Sequence, residues 1–286
     1  MFLTKKCLII CYNFYDRGEY MFIYILLFFI LGIITSFFIE ILGYRLPLGE
    51  DLLKKNYCDK CNHELKFIET LPIISFIIQK GRCKYCHQKI SKTYIIFEIL
   101  TGILFSLTYL SFYNENFSTL KLVLGIFFVG SLLIVCYSDF KYMIISDEVL
   151  IVFSAIMVLL KVFIEFKNEE ILSIMDLGYA LIDIIIDVVI IYFIMYIIKK
   201  IGDFIFKKES LGKGDLKLMA YIAIILGFKL SIVIIFLASF LALPFAIISN
   251  LRKDKLMLPF GPFLAISAII LFLLKVDFNS LLELLH

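Results

Sequence analysis

The sequence predicts an all-α polytopic membrane protein of about eight transmembrane helices, with a small cysteine-bearing module between the first and the second. Three observations carry this expectation. Hydrophobic residues make up 62% of the 286 residues and charged residues only 19%, for a mean hydropathy of +0.99; a soluble domain has an apolar share nearer one half. The apolar residues fall into runs of roughly 20, the helix length that crosses a bilayer core. The one long polar region contains two Cys-x-x-Cys pairs. The net charge of +3 gives no bulk field for nucleic acid, so no nucleic-acid partner is expected. The lipid bilayer is the implied environment.

Residues 1–20 carry Lys5, Lys6 and Arg17 with too little apolar length to span, and are expected to form an N-terminal tail. Met21 opens a clean apolar run and is a second candidate start. The first transmembrane helix is placed at 21–44, the polar module at 45–93, and the main membrane domain at 94–286. Further spans are expected near Tyr94–Phe112, Leu120–Tyr137, Val149–Phe166, Leu177–Ile198, Leu216–Phe228, Leu230–Asn250 and Leu258–Leu274, the sixth of the eight being short. The polar module holds ten Lys or Arg, which by the positive-inside rule places it in the cytoplasm. Lys141, the cluster from Lys199 to Lys213, and Arg252, Lys253 and Lys255 fall on the same side. Of the opposite loops, one carries Lys167 against Glu165, Glu169, Glu170 and Asp176, and the other carries Glu115 and no base. Both chain ends are then outside.

The seven cysteines include Cys58-Asp-Lys-Cys61 and Cys83-Lys-Tyr-Cys86, separated by 21 residues. Two residues between cysteines let a tight knuckle aim both thiolates at one ion. Four thiolates complete a closed tetrahedral zinc site, structural because it has no open position. The module is therefore read as zinc-ribbon-like. A disulfide is disfavoured in a reducing cytoplasm. His63 and His87, which follow the pairs, are read as surface residues.

Asp139 sits just past the third span in Tyr137-Ser-Asp139-Phe-Lys141. Asp215 sits just before the sixth in Gly212-Lys-Gly214-Asp215-Leu-Lys217. Acids at the edge of lipid are costly and tend to be functional. Two that meet can share a proton, the neutral one donating while the ionised one accepts. Gly212 and Gly214 allow close backbone approach. The competing reading makes Asp215 a helix cap and pairs Asp139 with Lys141. Asp183 and Asp187 share one face of the fifth span and are given a structural role. Asp147 is read as a helix cap, and Glu40 and Glu98 sit near the cytoplasmic ends of the first two spans. No Walker loop, G-x-G-x-x-G or H-E-x-x-H is present.

From about Gly32 to Ile270 the chain resembles bacterial prepilin peptidases, the type IV leader peptidases of the GxGD aspartic class. The resemblance rests on Tyr44-Arg45-Leu46-Pro47 with Gly49-Glu50, Leu71-Pro72 through Phe76, and Gly81-Arg82-Cys83 through Glu98. It continues in Gly212-Lys-Gly214-Asp215-Leu-Lys217 and Pro259-Phe260-Gly261-Pro262-Phe263-Leu264-Ala265. It implies that Asp139 and Asp215 are the catalytic pair, with Gly212, Gly214, Lys217, Pro259 and Gly261 in support. It also implies a type IV prepilin or pseudopilin substrate whose short basic leader is cut after a glycine at the cytoplasmic face of the inner membrane. The paired knuckles imply a second activity, N-methylation of the new N-terminus with S-adenosylmethionine, for which Glu98 is a candidate residue. Lys253 and Lys255 are candidates for holding that end of the site. The chain departs from the family pattern at Glu40, Glu69-Thr70 and Ser146. Two other classes fit parts of the pattern: a proton-coupled transporter using Asp183 and Asp187, and a membrane-anchored zinc module without catalysis.

Overall fold

The computed structural model describes residues 2–58, 60–113, 118–168, 173–251 and 259–283. Among them all regular structure is helical: α1 (Phe2–Arg45), α2 (Phe67–Thr70), α3 (Ile74–Ile78), α4 (Lys92–Phe112), α5 (Thr119–Tyr142), α6 (Asp147–Lys167), α7 (Ile174–Phe206), α8 (Lys213–Leu251), α9 (Gly261–Leu273) and α10 (Phe278–Glu283). Six of these, α1 and α4 to α8, are long and apolar enough to cross a membrane. Their outward faces carry Ile, Val and Phe, as at Ile185, Val189 and Phe193 of α7. Water would not tolerate so large an apolar surface, and lipid does. The protein is a multi-pass membrane protein.

The helix bounds correct several expectations. The expected tail at 1–20 is continuous with α1; its stretch contains no proline, so nothing in its backbone chemistry ends the helix. The expected sixth and seventh spans are the two arms of α8. They meet without a loop at Gly227, whose φ of 73° and ψ of 168° suit only glycine. The last expected span begins later, at Gly261, and α9 has 13 residues, roughly 20 Å at 1.5 Å per residue, too short to cross alone. Eight spans are reached only when the arms of α8 are counted separately and α9 is added. Arg252, Lys253 and Lys255, and the acids Glu115, Glu169 and Glu170, lie outside the described residues.

The chain divides into two compact units, residues 1–38 with 55–117 and residues 39–54 with 118–286. In the first, α1 and α4 touch through glycine. A Cβ on Gly32 would lie 2.7 Å from the Gly102 Cα, and one on Gly102 would lie 2.9 Å from the Phe29 ring. Small residues that let backbones meet are the usual means of packing helices in lipid. Nearby, the Ser106 hydroxyl donates to the Ile25 carbonyl at 3.0 Å, and Tyr109 stacks on Phe28 at 4.9 Å.

In the second unit α5 is central. Phe128, Val129, Leu132 and Leu133 of α5, Tyr221 and Ile222 of α8, and Leu264 and Ala268 of α9 are fully or almost fully buried, and α5 and α8 both pack on α9. The Phe128 ring lies 4.9 Å from that of Phe272, and the hydroxyls of Ser131 and Tyr221 are 2.5 Å apart, so these two buried hydroxyls satisfy each other. This core brings one end each of α5, α8 and α9 together.

Candidate active site

Asp139 lies in the last turn of α5. The helix stops at Met143, whose left-handed φ of 55° lets its N–H close back on the Asp139 carbonyl at 2.9 Å. The Asp139 carboxylate accepts from the backbone N–H of Gly261 at the start of α9. Asp215 is the third residue of α8, and its Oδ2 accepts from the Gly212 N–H at 3.2 Å. This reach-back is half of a capping box, so the capping reading of Asp215 holds at the same time as its proximity to Asp139. The two carboxylates interact electrostatically. Asp139 is 5% exposed and Asp215 7%.

Ile145, in the α5–α6 connection, packs the site together. A Cβ on Gly214 would lie 3.0 Å from the Ile145 Cβ, and one on Gly261 would lie 3.1 Å from its Cδ1. Gly214 and Gly261 are thus small because an isoleucine and an acid occupy the space beside them. Nothing in the pattern of residues singled out Ile145. Lys217 pairs with Asp147 through both carboxylate oxygens, at 2.7 and 2.6 Å. Asp147 therefore binds a neighbouring helix; it sits in the first turn of α6 behind an N-cap, Ser146, that makes no side-chain cap bond. The Lys141 ammonium lies 4.1 Å from the centre of the Tyr44 ring, a cation–π contact, so Lys141 ties the end of α5 to the Tyr44-Arg45 segment. Arg45 is buried and donates to the Leu52 carbonyl at 2.6 Å. Pro259 is half-buried before α9, and Pro262 lies in the first turn of that helix.

Asp183 is exposed and Asp187 half-buried. The Asp187 carboxylate faces the break in α8, 3.3 Å from where a Gly227 Cβ would stand. Lys161 donates to the Ile224 carbonyl beside that break at 3.0 Å, restoring a partner that an unbroken helix would supply. A lone lysine in an apolar run was the signal for Lys161.

In the first unit Cys58, Cys61, Cys83 and Cys86 converge, their sulfurs all within 4.8 Å of one another. The two knuckles share one hydrogen-bond pattern. Cys58 N donates to His63 O and Asn62 N to Cys58 O; Cys83 N donates to Gln88 O and His87 N to Cys83 O, each at 2.9 Å. The residues after the second cysteines, Asn62 and His87, have φ of 53° and 58°, which turns each loop back on itself. The backbone N–H groups of Cys86 and Tyr85 hold the Cys83 thiol down at about 7. The Cys58 and Cys86 sulfurs are 4.0 Å apart, close to the ~3.8 Å edge of a tetrahedron with Zn–S of about 2.3 Å. The donor set fits zinc. His63 lies against Tyr85 with ring centres 3.4 Å apart, and His87 is exposed.

Glu98 is buried in α4 and accepts from the Ile73 N–H at 2.8 Å. Ile73 has φ 57° and ψ −48°, and the Ile74 N–H closes on the Pro72 carbonyl at 2.5 Å. This is a γ-turn centred on a β-branched residue, a strained conformation that the Glu98 carboxylate holds in place. Glu98 and the aspartate pair lie in different units.

Fold and site together define a multi-pass helical membrane protein with two buried aspartates in one unit and a four-cysteine knuckle module in the other. Residues 30–112 match the Bacterial Peptidase A24 N-terminal domain and residues 126–247 match the Type IV leader peptidase family. The chain belongs to the type IV leader peptidase family. It is 28% identical over 230 residues to a prepilin leader peptidase/N-methyltransferase of Dichelobacter nodosus, covering 80% of this chain and 74% of the relative. It is 27% identical to proteins of the same name from Bacillus subtilis strain 168, covering 86% and 92%, and Vibrio cholerae serotype O1, covering 88% and 97%. No solved structure matches.

Proposed function

We propose that this protein is a prepilin peptidase. It removes the short basic leader of type IV pilin-like precursors at the cytoplasmic face of the membrane, with Asp139 and Asp215 as its catalytic pair, and then methylates the new N-terminus. One observation carries the peptidase reading: two acids 76 positions apart in the chain (215 − 139) are both buried and interact, each with a backbone N–H on its carboxylate. Buried acids that interact titrate as a pair. At neutral pH one shared proton leaves one acid neutral and one ionised. The ionised member takes a proton from water as that water attacks the scissile carbonyl. The neutral member donates to the leaving amine. The basic residues of 45–93 and of the α7–α8 connection support a cytoplasmic placement.

The methyl-transfer role is assigned to the first unit. S-adenosylmethionine supplies the methyl group. Glu98 is the buried carboxylate of that unit among the described residues, and it has the chemistry to take the proton from an amine. The four cysteines hold zinc and keep the two knuckles folded against each other.

Mass spectrometry of a precursor incubated with the purified full chain, with and without S-adenosylmethionine, tests this. Wild type should show a leader-sized mass loss in both cases and one added methyl only with the donor. Asp215→Asn should show neither the loss nor a new N-terminus. Retained cleavage by Asp215→Asn would reject the catalytic pair.

A further inference from the structure

Lys199 is a buried lysine, 9% exposed, near the C-terminal end of α7. A lysine in the last turns of a helix ordinarily reaches into water beside the negative end of the helix dipole. This one turns inward instead. Its Nζ donates to the Leu211 carbonyl in a short hydrogen bond, with the Asp203 Oδ2 at 3.8 Å and the Glu209 Oε1 at 3.6 Å. The segment it grips is strapped to α7 at further points. The Ser210 N–H donates to the Asp203 Oδ1 at 2.7 Å, and the Ser210 hydroxyl donates to the Lys199 carbonyl at 3.2 Å. Gly202 makes room, since a Cβ there would lie 2.5 Å from the Ser210 Oγ.

The consequence lies one atom group further on. The Leu211 carbonyl and the Gly212 N–H are the two ends of a single peptide unit, which is planar. That N–H is the donor to the Asp215 Oδ2. Anchoring the oxygen therefore fixes the direction of the N–H. A cation on the oxygen also polarises the N–H and strengthens its hydrogen bond to the carboxylate. The Lys199 charge itself acts on Asp215.

We propose that Lys199 is a positioning residue for Asp215, acting through the Leu211–Gly212 peptide plane to hold the carboxylate where it meets Asp139. This rests on the peptidase reading above. Lys199 does not touch the substrate; it sets the orientation of the acid that does. Binding of the precursor should then be nearly independent of Lys199, while turnover should depend on it.

The test uses the full chain in detergent with a precursor peptide carrying a basic leader, and follows cleavage and the methylation of a separately supplied pre-cleaved peptide. Lys199→Met should lower kcat for cleavage roughly tenfold to a hundredfold, the scale of a misplaced catalytic group, with KM within about twofold of wild type. Methylation should be unchanged, because Glu98 and the knuckles belong to the other unit. Lys199→Arg, which keeps a cationic donor, should recover most of kcat. Glu209→Gln, which removes only an exposed ion-pair partner, should cleave at the wild-type rate. If wild type does not cleave, the peptidase reading itself fails. If wild type cleaves and Lys199→Met keeps its kcat, or loses cleavage and methylation equally, the positioning role is overturned.

Discussion

The backbone N–H of Gly261 donates to the Asp139 carboxylate, and a side chain at 261 would begin 2.5 Å from the Asp139 Oδ2. The same glycine thus supplies a donor to the acid and leaves the space in which it sits. Gly261→Ala should push the carboxylate away from Asp215 or shift the start of α9. Cleavage should fall roughly a hundredfold, as expected for a displacement of about an ångström at a reacting group. Methylation of a pre-cleaved peptide should persist. A Gly261→Ala enzyme with wild-type cleavage would mean that the bare backbone at 261 is not needed to seat the Asp139 carboxylate.

The knuckle module makes a prediction about metal. Purified protein should contain about one zinc per chain by elemental analysis, the capacity of a single four-thiolate site. Cys83→Ser and Cys86→Ser should each lose most of it. Because thiolates must be deprotonated to bind, acidification should also release zinc. Methylation should fall with the metal, and cleavage, which depends on the second unit, should largely survive. Loss of cleavage in step with zinc would instead make the module part of the peptidase.

Glu98 separates charge from hydrogen bonding. Glu98→Gln keeps an oxygen that can accept from the Ile73 N–H, so the γ-turn at Ile73 should persist. Methylation should nevertheless fall about a hundredfold or more, the usual contribution of a general base. Glu98→Ala removes the acceptor as well and should add about 1–3 kcal/mol of destabilisation for a buried N–H left unpartnered, read as a lower melting temperature of the solubilised protein. Equal methylation by Glu98→Gln and wild type would leave Glu98 with only a structural role.

The residues that could be found in the sequence are those whose chemistry is local. Apolar runs identify spans because a bilayer demands about 20 consecutive apolar residues whatever the tertiary fold. The cysteine pairs announce themselves because a knuckle needs only two residues between its ligands. Gly212, Gly214 and Asp215 stand together in the chain and in space. Lys199, Ile145 and Lys161 act across the fold. Lys199 read as one more positive-inside charge, and Ile145 as one more aliphatic residue, until the packing of α5, α7, α8 and α9 gave each a neighbour. Gly227 marks the other limit: it breaks α8 without a polar loop, so hydropathy alone placed the boundary at Lys229 and gave no hint that Asp187 faces the break.

The Asp147–Lys217 pair is the last relationship with a measurable consequence. Both side chains are about half exposed, 56% and 47%, so water screens them, and a double-mutant cycle with Asp147→Asn and Lys217→Met should give a coupling of about 0.2–1 kcal/mol in stability, shrinking with added salt. The pair matters more for geometry. Asp147 stands two residues after Ile145 and Lys217 two residues after Asp215, so the bond ties the site's packing residue to its second acid. Each single variant should slow cleavage a few-fold, roughly the effect of a small loss of orientation, and the double variant should be no slower than the worse single one. Exchanging the charges should not restore the enzyme. A lysine at 147 would sit at the positive end of α6, and an aspartate at 217 would repel Asp215. If Lys217→Met stops cleavage while Asp147→Asn leaves it intact, Lys217 acts on the substrate directly and its partner is incidental.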